Sequence, residues 1–211
     1  GTFLLFQRDH GNRQRWSDPF YNWSNAFLIN NVSNQPVVLS ISCRTGWFDN
    51  ETDFPNFPHS KSLTSPHAES LAEYWERPAY SPYGDCGAVG IVAASRISFS
   101  YFNDHFVAGM MDAIWPHYLA KYSPTSVGMG VGSLHAKPIL EMGAVMDYGK
   151  TYMNATTQDT NNFKRAQFEV YHWFGDPSME IRVEEPRWLR AVVPTSWPSA
   201  FIPKNLPIHV K

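Results

Sequence analysis

His10-Gly11 closes one apolar run, and further along the run Val37-Val38-Leu39-Ser40-Ile41-Ser42 ends in Cys43. Two strands that deliver an imidazole and a thiol to one sheet edge would assemble a nucleophile with its base. An isolated thiol is mostly protonated at neutral pH, so a neighbouring imidazole is needed to take its proton. Cys43 would then attack a carbonyl, and His10 would protonate the leaving amine. Gly11 has no side chain to keep a substrate carbonyl away, so the amides of Gly11 and Cys43 would form an oxyanion hole. The competing reading makes Cys43 a small buried hydrophobe and His10 an ordinary turn residue, because free cysteine is usually packed.

The elements that must position this pair follow from the apolar pattern. Residues 3–6, 37–41 and 88–93 are short runs rich in β-branched, aromatic and small apolar residues, the signature of buried parallel strands. Residues 69–76 read as a short helix, and 47–66, with its Asp, Asn, Pro and Ser, as a long surface loop. Phe106, Met110, Ile114 and Leu119 lie near helical spacing, predicting a helix over 103–122 that Pro116 kinks or divides. Residues 137–153 and 162–174 are further predicted helices. Strands alternating with helices make a layered α/β domain, with a mainly parallel sheet. Beyond residue 185 the prolines at 186, 194, 198, 203 and 207 argue against helix, so 186–211 is expected to be an extended tail.

The 211 residues are 43% hydrophobic and 15% aromatic, enough for one sizeable core. A net charge of -2 gives no electrostatic case for nucleic acid or an anionic membrane as partner. No apolar run reaches the length of a membrane span. Two cysteines define no disulfide framework, and a bridge from Cys86 to Cys43 would abolish the nucleophile. Asn22, Asn31, Asn50 and Asn154 begin Asn-x-Ser/Thr triplets, to which no weight is given. His67-Ala68-Glu69 lacks the cysteine pair of a zinc deaminase site, and His105 with Asp104 or His117 with Asp112 reads as surface chemistry. No metal site is expected. Gly128-Met129-Gly130-Val131-Gly132-Ser133 lacks a phosphate loop's lysine and reads as a flexible loop.

The segment Ser42-Cys43-Arg44-Thr45-Gly46, with His-Gly after another strand, resembles the caspase-like cysteine peptidases, metacaspases included. Cys43-Arg44-Thr45-Gly46-Trp47-Phe48-Asp49, Leu71-Ala72-Glu73, Gly87-Ala88-Val89-Gly90-Ile91-Val92-Ala93-Ala94-Ser95 and Phe174-Gly175-Asp176-Pro177-Ser178 follow in an order similar to that of the gingipain family. The resemblance implies a three-layer caspase-like α/β/α domain over 1–185. Residues 186–211 would be the start of an immunoglobulin-like segment or a strap on the core. It implies a secreted or cell-surface cysteine endopeptidase acting on protein or peptide chains, with Cys43 as nucleophile and His10 as general acid/base. Arg8, Ile41, Tyr101 and His105 would face the primary specificity pocket. No organic cofactor is implied. Calcium is expected at family level only, since nothing resembles an EF-hand. Gingipains carry an upstream subdomain that supplies an acid to orient the imidazole, so the chain is expected to be a fragment whose partner is that missing part. A transpeptidase of the kind found among gingipain relatives in bacterial secretion, and a non-catalytic homologue that keeps the fold for binding, remain as alternatives.

Overall fold

A computed structural model of the chain describes residues 3–32, 34–49, 69–77, 82–84, 86–116, 137–158 and 162–183. Contacts divide the chain into two compact units, Gly1–Ile181 and Arg182–Lys211. The architecture below is that of the first. The expectations on residues 50–66, His67, His117, 128–133 and the tail 186–211 lie outside the described residues.

Four strands form the main sheet: β1 (Leu4–Arg8), β5 (Val37–Ile41), β6 (Gly90–Ala94) and β7 (Tyr171–Phe174), in that spatial order. The first three are parallel, as expected, and β7 runs antiparallel to β6. Every residue of β5 and β6 is buried, which explains their almost wholly apolar character, whereas β1, at the edge among the described residues, has only Gln7 fully buried. Between β1 and β5 the chain makes a small antiparallel sheet that the apolar pattern did not announce. It comprises β2 (Gly11–Asn12), β3 (Arg15–Trp16) and β4 (Tyr21–Asn22), followed by α1 (Trp23–Phe27).

Register fixes which side chains share a face. Leu5, Val38, Ile91 and Phe174 form one row across the sheet, and all four pack in a cluster with Trp16, Ala26, Leu71, Ala72, Tyr74 and Trp75. The last four come from α2 (Leu71–Glu76), which begins at a capping box. There the Glu73 carboxylate accepts from the Ser70 amide at 2.7 Å and Ser70 Oγ accepts from the Glu73 amide at 3.4 Å. The rings of Trp16, Tyr21 and Trp75 stack with centroids 4.9 to 6.3 Å apart, fastening the small sheet to α2. On the opposite face Tyr171 meets Phe106 of α3 (Ser100–Ile114) at 4.8 Å, and α4 (Met142–Thr156) packs on α3. Helices on both faces of the sheet make three layers.

Three sequence expectations shift. The helix predicted over 103–122 begins at Ser100 and stops at Ile114, with Trp115 extended at φ -122° and ψ 85°, because a residue before proline avoids helical geometry. The helix expected over 137–153 runs from Met142 to Thr156. The one expected over 162–174 is two elements: α5 (Phe163–Val170), then β7, whose residues pair with 91–94. The aromatic run Tyr171-His172-Trp173-Phe174 suits a pleated surface, and pairing with β6 covers an edge that a longer helix would leave open.

At the α3–α4 crossing the backbones touch. A Cβ on Gly109 would stand 2.6 Å from Tyr152 Cβ and 2.9 Å from Gly149 Cα, with backbone that has no room to retreat. Gly109→Ala is therefore expected to destabilise the fold by about 1–3 kcal/mol through overpacking, despite the propensity gained on removing a helical glycine. Urea unfolding checks it; a midpoint at or above that of the parent contradicts the close approach.

Glu76, the last residue of α2, has a carboxyl that burial raises to about 7, and its Oε1 is buried without a hydrogen bond among the described residues. Its folded pKa lies above the unfolded value, so the folded state holds the extra proton and stability falls as pH rises from the unfolded carboxylate range to about 7. Glu76→Gln should match the parent in acid and exceed it at pH 8 by on the order of 2 kcal/mol, read from unfolding midpoints across pH.

Candidate active site

The parallel register of β1 on β5 pairs Leu4 with Val37 and Arg8 with Ile41. Carried two residues past the strand ends, the same register sets His10 beside Cys43. A packing contact agrees: a Cβ on Gly11 would stand 2.7 Å from Ser42 Oγ and 3.0 Å from Thr45 Cγ2, so only glycine fits where the two chains leave the sheet. Both residues thus emerge at the carboxyl ends of adjacent parallel strands, where open α/β sheets place their ligand sites. The His10 side chain is exposed, and its carbonyl accepts from the Ser17 amide at 2.9 Å, joining it to the small sheet. No hydrogen bond links its ring to Cys43 among the described residues.

The turn that presents Cys43 is tied down by buried hydroxyls. Trp16 Nε1 donates to Ser40 Oγ at 2.8 Å, and Ser40 Oγ lies 2.8 Å from Thr45 Oγ1 and 3.3 Å from Ser42 Oγ. Arg44 takes φ 62°, a left-handed conformation that a non-glycine residue holds only when its surroundings enforce it. Two backbone bonds enforce it here: the Arg44 amide to the Arg96 carbonyl at 3.0 Å and the Gly46 amide to the Ala94 carbonyl at 2.9 Å. The Cys43 sulfur is half-buried and meets Ser98, whose amide donates to Sγ at 3.4 Å. Cys86 is also a free thiol, at 3% exposure.

Of the four residues expected around the specificity pocket, Arg8 and Tyr101 present surface. Ile41 and His105 lie behind them at 0% exposure. The Arg8 guanidinium is paired with the Asp104 carboxylate, Nε to Oδ1 at 2.6 Å. The ring of Tyr101 packs edge-on against His105 at 4.8 Å. His105 Nδ1 bonds Thr156 Oγ1 at 2.7 Å, and burial lowers the imidazole pKa although Asp104 opposes it. A buried histidine with a hydroxyl partner was not legible in the sequence, where His105 beside Asp104 looked like surface chemistry.

Two neighbours of Cys43 escaped sequence reasoning. One is Ser98. The other is an arginine cluster: the guanidinium carbons of Arg13, Arg44 and Arg96 lie 5.7, 5.6 and 5.5 Å from the centroid of the Trp47 ring. Arg96 is also held by Asp49 through two contacts of 2.6 Å, and this hydrogen bonding lowers the Asp49 pKa. No spacing rule links these residues, because the cluster draws on three separate segments: the turn after β2, the Cys43 turn and the chain after β6. Among the described residues no group of three His, Cys, Asp or Glu side chains is placed to hold a metal ion.

The fold is similar to three solved structures, each at low sequence identity. The Arg-specific cysteine proteinase gingipain R matches at TM-score 0.61 and 17% identity, over 90% of this chain and 36% of that one. A complex of the pro- and mature domains of Porphyromonas gingivalis RgpB matches at TM-score 0.62 and 16% identity, over 90% of this chain and 37% of that one. A structure described only as a protease matches at TM-score 0.62 and 14% identity, over 99% of this chain and 41% of that one. The chain thus spans well under half the length of each of these structures. No curated protein sequence matches it. The match to a sequence family extends over residues 1–182, from the edge strand β1 through both candidate catalytic residues to the end of the first compact unit: the chain belongs to peptidase family C25.

Proposed function

We propose that this chain carries the reacting pair of a cysteine endopeptidase, with Cys43 as nucleophile and His10 as general acid/base. The observation that carries the reading is the β1–β5 register, which sets the histidine beside the cysteine at the carboxyl edge of a parallel sheet, with Gly11 pressed onto Ser42. Membership of family C25 supports it.

The thiol passes its proton to the His10 imidazole as sulfur attacks the scissile carbonyl carbon, and the amides of Gly11 and Cys43 stabilise the oxyanion. His10 returns the proton to the departing amine, which leaves an acyl group on Cys43. Water, deprotonated by His10, adds to the thioester and releases the acid. In the structure the imidazole is not yet bonded to sulfur; such contacts often tighten only when substrate binds. The substrate is a protein or peptide chain, and the secreted or surface location implied by the family resemblance belongs to the same proposal. No helix among the described residues is long and apolar enough to cross a membrane.

Cys43→Ala is expected to lower hydrolysis of a casein substrate by about three orders of magnitude or more, and His10→Ala by about two to four, with both variants melting near the parent temperature. Iodoacetamide should modify Cys43 in the native protein and spare the buried Cys86, as read by peptide mass mapping. Activity that survives Cys43→Ala leaves that residue as packing. Product analysis with an added amine distinguishes hydrolysis from transpeptidation.

Arg8 lies two residues before His10, and its charge is matched by Asp104. As a pocket residue it would present a neutralised pair, repelling basic side chains less than a bare cation would. Asp104→Asn releases that charge, so peptide-library profiles should shift from basic toward acidic side chains at the cleavage site. An unchanged profile places Arg8 outside the pocket.

A further inference from the structure

Cys43 leaves the middle of three parallel strands. His10 follows β1 on one flank, and the chain that follows β6 occupies the other. On that second flank Ser98 meets the sulfur three ways. Its amide donates to Sγ at 3.4 Å, its hydroxyl lies 3.8 Å from Sγ, and its carbonyl accepts from the thiol at 3.5 Å. The contacts suit both protonation states of the sulfur. A thiol donates to the Ser98 carbonyl, whereas a thiolate accepts from the amide and the hydroxyl.

Ser98 is itself held. Asn103 Nδ2 donates to Ser98 Oγ at 3.1 Å, and Tyr171 Oη approaches the same oxygen at 3.3 Å and Asn103 Oδ1 at 3.0 Å. Gln167 Nε2 donates to Asn103 Oδ1, and Gln167 Oε1 accepts from the Phe99 amide at 3.0 Å. Burial pushes the ionisation of the Tyr171 phenol far upward, so it remains a donor. When the single Tyr171 phenolic proton is directed at Ser98 Oγ and not at Asn103 Oδ1, both lone pairs of Ser98 Oγ face donors and the hydroxyl's own proton is left to point at sulfur. Ser98, Asn103, Gln167 and Tyr171 are all buried, and such a network is costly to leave half-satisfied.

We propose that Ser98 is the direct hydrogen-bonding partner of the Cys43 sulfur in its reactive form, and that Asn103, Gln167 and Tyr171 are positioning residues that aim it. This role rests on the reading of Cys43 as nucleophile. As the thiol proton moves toward His10 on one flank, charge accumulates on sulfur opposite two donors on the other.

The test is the rate of iodoacetamide alkylation of Cys43 at pH 7 by mass spectrometry, with Cys86 in the same sample as the control for an intact core. Ser98→Ala should slow Cys43 alkylation about tenfold, the worth of one hydrogen bond to a charged group. Ser98→Thr keeps the hydroxyl and should stay within about twofold of the parent on the same scale, with Tyr171→Phe falling between. A parental rate in Ser98→Ala, or a rate in Ser98→Thr as slow as that of Ser98→Ala, overturns the proposal. Peptidase activity of Cys43→Ala is measured separately: its survival removes the nucleophile, and with it this role, whereas the alkylation rates report on the Ser98–sulfur contact alone.

Discussion

Everything at the candidate site depends on the in-register parallel pairing of β1, β5 and β6. Parallel hydrogen bonding fixes the stagger of three strands that are far apart in the chain, and a slip of one residue would turn every side chain to the opposite face. With the register as observed, His10 falls beside Cys43 on one flank and Arg96 on the other, and Ser98, two residues further along the chain, reaches the sulfur by its own contacts. The first residue of the antiparallel β7, Tyr171, arrives at the same edge opposite Ala94. An imidazole, a sulfur and a hydroxyl thus emerge at one edge of the same sheet.

A half-buried thiol at the end of a buried strand needs firm anchorage, and polar groups provide it on two sides. Beneath the Cys43 turn, Trp16 and the hydroxyls of Ser40, Ser42 and Thr45 satisfy one another. Beyond it, Asn103, Gln167 and Tyr171 satisfy one another and Ser98. In a low-dielectric interior a satisfied polar network is directional in a way that apolar packing is not, and it penalises any rearrangement that leaves a member unpaired. The strained Arg44 backbone is tolerable in this setting, since its own amide bonds Arg96 just past β6 and the Gly46 amide bonds Ala94, the last residue of β6.

The two faces of the sheet serve different ends. One is sealed by aromatic stacking between the small sheet and α2, which ties the segment after His10 to the helix beyond the Cys43 turn. The other carries α3, α4 and α5: α3 and α4 approach closely at Gly109 and Gly149, and Gln167 of α5 bonds Asn103 of α3, which in turn holds Ser98. The residues expected around a specificity pocket are less open than their types suggested: His105 and Ile41 are enclosed, and Arg8 carries its own counter-ion.

The sequence by itself determined the strand Val37–Ile41 to the residue, the existence of the main helices and a break at Pro116, and it singled out His10-Gly11 and Cys43 as the residues that would carry chemistry. Each is a local signal: an unbroken apolar run, a helical period, a proline, a motif at a strand end. The tertiary structure alone decided that Tyr171–Phe174 is a strand and not the end of a helix, that residues 11–22 fold into a second sheet, and that Ser98 stands at the sulfur. The strand at 171–174 and the place of Ser98 depend on partners far away in the chain, 77 residues for Ser95 with His172 and 55 for Cys43 with Ser98, whereas the second sheet pairs locally and is held by its stacking on α2. An aromatic run fits either a helix or a pleated edge until an unpaired strand is present to accept it, and a serine after a strand carries no mark of where its hydroxyl will point. Long-range hydrogen-bond register has no local signature in a chain, so it is settled only when the sheet closes.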